Sequence, residues 1–134
     1  MNQTFLALIV SAVVAAVNNL EKNMHLLDGV TSTVSAAQEM NSHISNEHKG
    51  VIARLEVVIS KLRSAQNDSV DNLQLNVFEL FSVNKAVNEH IVELEKAMAY
   101  FSQMGQTEQL IQSFQAKIRD LHFATFALLN LQGR

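Results

Sequence analysis

The sequence predicts an all-α fold in which four or five helices pack as a bundle or coiled coil. The chain has 134 residues, no proline and only four glycines, and these two residue types interrupt helices most strongly. Apolar residues recur at steps of three and four over long stretches, which is the spacing of one face of an α-helix. The length and the lack of a linker rich in glycine or proline indicate one domain over residues 1–134.

Residues 1–28 are predicted to form an apolar N-terminal helix. The first charged residue is Glu21, and Ser11 alone interrupts the apolar run from Phe5 to Val17. A run of this length is typical of a buried helix or of a signal-peptide core, whereas a membrane span needs about twenty apolar residues. Val14 and Ala16 suit the positions before a signal cleavage site, but no Lys or Arg precedes the run. We therefore expect a retained helix.

A second helical region is predicted over residues 29–66. Its first part, between Gly29 and Gly50, is rich in Ser, Thr and Asn, whose side chains compete for helical hydrogen bonds. From residue 44 onwards the helical spacing is regular, which indicates a helix packed along its length against a partner. The apolar face is formed by Ile44, His48, Val51, Leu55, Val58, Leu62 and Ala65.

A long heptad helix is predicted over about 69–104, with Asp68 or Ser69 as its N-cap. Ten residues keep a strict alternation of three and four: Val70, Leu73, Val77, Leu80, Asn84, Val87, Ile91, Leu94, Met98 and Phe101. Asn84 is the one polar residue among them. It either fixes the register of a coiled coil, or it faces a bundle edge or bonds a backbone group. Phe78 and Phe81 widen the stripe, which favours a bundle with more than one neighbouring helix.

The last helix is predicted over residues 107–131, with Gly105 ending the preceding helix. Its stripe includes Phe114, and Phe123, Phe126 and Leu129 add apolar surface outside that stripe. A helix that is apolar nearly all round is central in a bundle or covered by another chain.

The composition excludes several functions. Ten Lys and Arg residues are dispersed along a chain of formal charge −3, so the clustered basic residues of a nucleic-acid interface are missing. Because the chain has no cysteine, it has no disulfide, thiolate metal site or cysteine nucleophile. No phosphate-binding glycine loop, serine-hydrolase motif or zinc-protease motif occurs. We therefore expect no catalytic residues, no cofactor and no enzymatic activity.

The histidines offer one candidate metal site. Glu39, His43 and Glu47 lie at steps of four and share a helical face, as ligands of a divalent cation do. The same spacing occurs in solvated faces with helix-stabilising polar pairs, and the Glu-x-x-His spacing of helical di-metal sites is absent. We expect no metal here, and we expect His90 to lie on an exposed acidic face.

These observations favour a non-enzymatic assembly or interaction protein. It self-associates, as a homo-oligomer, or binds a helical protein partner through apolar helix faces. The candidate interaction residues are Phe5, Ile9, Val10, Val13, Val14, Asn84, Phe114, Phe123 and Phe126.

The alternative is a membrane-active coiled coil. An apolar N-terminal segment, then a Ser/Thr/Asn-rich helix, then a heptad helix is similar in order to the fusion subunits of enveloped viruses. That similarity covers most of the chain without a specific motif, and it implies that residues 5–17 insert into lipid. The sequence indicates no cellular compartment.

Overall fold

The computed structural model describes residues 1–28 and 35–132, and these form an all-α bundle as predicted. The helices are α1 (Gln3–Asp28), α2 (Ser35–Asn67), α3 (Val77–Gln103) and α4 (Glu108–Gln132). A 3₁₀ turn, Val70–Asn72, lies between α2 and α3, and no strand occurs in the described parts of the chain. The start of the helix predicted over 29–66, including Gly29, lies outside the described residues.

Helix α1 is the centre of the bundle and packs against each of the other three helices. Asn2 caps it, because its side-chain oxygen accepts a hydrogen bond of 2.8 Å from the Phe5 backbone N–H. Its buried side chains recur at helical spacing. Burying one of the larger apolar side chains contributes about 1.5–3 kcal/mol to the stability of the fold. The buried residues are Leu6, Ile9, Val10, Ala12, Val13 and Val17.

Helix α1 is also the one described helix that is long and apolar enough to cross a membrane, over Gln3–Leu26. Core helices of soluble proteins and signal sequences satisfy the same criterion. In this fold Leu6, Ile9 and Val13 have no solvent exposure, because the other helices cover them.

The predicted face of α2 is confirmed. Leu55, Val58, Leu62 and Ala65 are buried, while Ile44, His48 and Val51 at the other end of the stripe are half-buried. The helix packs mainly on α1 and makes a smaller contact with α3.

The start predicted for α3 is wrong, because the chain leaves α2 through a 3₁₀ turn and extended residues before the helix begins at Val77. Ser69 caps the 3₁₀ turn rather than a long helix. Asn76 caps α3 in a reciprocal capping box with Glu79: each side chain accepts a hydrogen bond from the backbone N–H of the other residue. Such boxes satisfy amide donors that the first turn leaves unpaired, so the helix starts here.

Glu79 also fixes the position of α3 on α2. Its carboxylate lies 2.7 Å from the Lys61 ammonium. The pKa of Glu79 lies below its usual value, because the carboxylate accepts hydrogen bonds from the Asn76 backbone N–H and from Lys61. One side chain therefore caps α3 and joins it to α2.

Helices α3 and α4 form an antiparallel hairpin. Gly105 has a φ of 72° at the turn, a left-handed conformation that side chains with a Cβ disfavour, so it ends α3 as predicted. Near the turn the Phe101 and Phe114 rings stack with centroids 5.7 Å apart.

At the opposite end of the hairpin, the Gln132 amide holds the end of α4 against the segment before α3. Its Oε1 accepts a hydrogen bond of 2.8 Å from the Leu75 N–H. Its Nε2 donates one of 3.0 Å to the Leu73 carbonyl. Leu73 is buried, so the amide pairs backbone groups that are partly shielded from solvent.

Helix α4 is not the central helix of the bundle, which was one of the two positions predicted for it. Its buried residues, Leu121, Ala124 and Leu128, form one face, and the central helix is α1. Phe123, Phe126 and Leu129 are exposed. The extra apolar surface of α4 therefore points away from the core.

We expect Gln132→Met to lower the free energy of unfolding by about 1–3 kcal/mol, since it leaves the Leu75 N–H and the Leu73 carbonyl without partners. Chemical denaturation measures the change. Gln109→Met, at an exposed position of the same helix, is the control and should change stability little. Equal stabilities of the two variants would mean that water replaces the Gln132 amide.

Candidate functional site

The most unusual surface of the described chain is the outer side of the α3–α4 hairpin. Four of the seven phenylalanines are exposed, and all four lie on these two helices. On α3, Phe78 is 83% exposed and Phe81 is 69% exposed. On α4, Phe126 is 68% exposed and Phe123 is 54% exposed. Single exposed apolar side chains are common on soluble proteins, but four exposed phenylalanines on one hairpin are unusual, and they make this surface the candidate functional site.

The four phenylalanines lie in the same half of the hairpin. The hydrogen bonds of the Gln132 amide with Leu75 and Leu73 set the two ends of the hairpin in register. At roughly 1.5 Å per residue, both aromatic pairs lie within about 15 Å of this contact along the helix axes. We call Phe78, Phe81, Phe123 and Phe126 the aromatic surface.

A shallow hollow of about 440 Å³ lies on α3. Phe81 and Val92 lie towards its two ends. Between them it is lined by Asn84, Lys85, Asn88 and Glu89. Glu93 lines it next to Val92. Lys85, Asn88, Glu89 and Glu93 are exposed, so the hollow combines two apolar side chains with one cation and two anions.

Asn84 lies at the edge of this hollow with its side chain partly buried. Its Oδ1 is buried and has no hydrogen-bond partner among the described residues. Among the described residues, this oxygen therefore makes no hydrogen bond to a backbone group. A buried amide oxygen without a donor lowers stability by about 1–3 kcal/mol.

A second groove, of about 580 Å³, runs between α3 and α4. Glu95 and Met98 line it from α3, and Arg119, His122 and Phe123 are among the residues that line it from α4. Because Phe126 follows His122 by four residues, it lies on the same side of α4. The groove therefore continues from a charged part into the aromatic surface.

His90 does not lie on an exposed acidic face as expected. It is half-buried, and burial lowers its pKa. The positive charge of Lys117 lowers the pKa further, whereas Glu93 raises it. His90 is thus held near a cation from α4.

Comparison with known proteins leaves the family open. No family model matches the chain, and no curated protein and no solved structure shows significant similarity to it. The function must therefore be argued from the surface itself.

The structure separates the predicted interaction residues into two groups. Ile9, Val10 and Val13 are buried in the core of this chain, and Phe5, Val14 and Phe114 are half-buried against that core. The aromatic surface contains the other two aromatic candidates, Phe123 and Phe126. The α1 residues and Phe114 thus contact the chain's own helices, and Phe123 and Phe126 on α4 remain accessible.

Phe78 and Phe81 are the site residues that the sequence reasoning missed, since it placed them in a buried stripe. Their heptad positions already distinguished them from the core-facing residues, because neither belongs to the alternation through Leu80, Asn84 and Val87. The buried face of α3 widens on its other side, at Val83 and Ala86.

The candidate metal ligands lie on a solvated face. His43 Nε2 is 3.1 Å from a Glu47 carboxylate oxygen, and both side chains are largely exposed. Within the described residues no three His, Asp or Glu side chains are grouped as a metal site.

We expect Asn84→Val to raise the free energy of unfolding by about 1 kcal/mol, because it removes a buried oxygen that has no donor. Thermal and chemical unfolding measure the change. Asn46→Val, at an exposed position of α2, is the matched control and should not raise it. A clear destabilisation by Asn84→Val would show that the amide has a specific partner in solution.

Proposed function

We propose that this chain is a non-enzymatic interaction protein that binds a further helix on the outer surface of the α3–α4 hairpin. The observation that supports the proposal is the aromatic surface. The helix comes either from a second copy of the chain or from another protein.

The energetics favour coverage of this surface. Removing one phenylalanine side chain from water contributes about 1.5–3 kcal/mol. Association opposes this gain with lost translational and rotational freedom, which costs at least about 4 kcal/mol. One exposed ring is therefore insufficient for binding, whereas four rings on adjacent helices can anchor a partner.

The shape of the surface favours a helical partner. Amphipathic helices bind in apolar grooves through side chains that recur every three or four residues. The groove between α3 and α4 runs along the hairpin, with Glu95 and Arg119 as charged groups at one part of its rim. Charges at a rim contribute mainly to the orientation and choice of the partner.

The proposed surface differs from the one expected from the sequence. That expectation placed the contacts mainly on the first and last helices. The α1 residues Ile9 and Val13 are unexposed, so a partner reaches them only if the bundle opens. The outer side of α4 remains in the proposal, and the outer side of α3 replaces α1.

We expect Phe81→Ser/Phe126→Ser to weaken helix binding at least about tenfold, because two apolar anchors are lost. Binding is measured as self-association by sedimentation velocity and as retention of phage-displayed amphipathic helical peptides. Met40→Ser/Val57→Ser removes exposed apolar side chains from α2 instead. This control should bind like the wild-type chain, and both variants should keep the wild-type circular dichroism spectrum.

Two results would contradict the proposal. One is a wild-type chain that remains monomeric and retains no helical peptide. The other is an equal loss of binding in the hairpin variant and the α2 control, which would make the effect nonspecific.

Membrane insertion of α1 is the second candidate, because Gln3–Leu26 has the length and composition of a membrane span. Insertion requires Leu6, Ile9 and Val13 to leave the protein core, so it requires the bundle to open. If α1 inserts, the chain floats with liposomes and loses the stability provided by its core. We expect the folded chain to remain at the bottom of the flotation gradient, and flotation of intact protein would favour the membrane function.

A further inference from the structure

We draw no further inference here: the strongest candidate, the aromatic surface on the outer side of the α3–α4 hairpin with the groove beside it, belongs to the site already described, and nothing in the structure shows which molecule covers it.

Discussion

The burial of α1 is the constraint on which the rest of the structure depends. Leu6, Ile9 and Val13 have no solvent exposure, and Val10 and Val17 are also buried. No single neighbouring helix covers such a broad apolar face, so α2, α3 and α4 all pack against it. Polar links such as Lys61–Glu79 and Gln132–Leu75 then fix how the outer helices meet one another.

This arrangement explains why the exposed aromatic surface lies on the hairpin. Covering α1 uses the inner faces of α3 and α4, including Val87, Ile91 and Leu121. Phe81 and Phe126 lie on the opposite sides of their helices and find no cover within the bundle. Helix α3 thus buries one apolar stripe in its own chain, while Phe78 and Phe81 on its outer side remain exposed.

The candidate site was predictable only in part. Phe123 and Phe126 were expected to make contacts, because they lie outside the stripe of α4. Ile9 and Val13 were assigned to the same role, because a sequence pattern does not distinguish burial in the core of the same chain from burial against a partner. Asn84 was singled out for its position in an apolar alternation, and the structure adds that its oxygen has no donor among the described residues.

The sequence by itself determined that the chain is helical, roughly where its helices lie and where Gly105 ends α3, because these features depend on local spacing and backbone preference. Only the tertiary structure decided that α1 is the central helix and that α3 begins at Val77. The first depends on the summed contacts of three helices with one. The second is a choice between a local capping box at Asn76–Glu79 and an apolar alternation that extends back to Val70. Lys61, which lies 18 residues from Glu79 in sequence, favours the first. The face of α3 that turns towards the core likewise depends on which contacts with the other helices are most favourable. A local sequence pattern does not include those contacts.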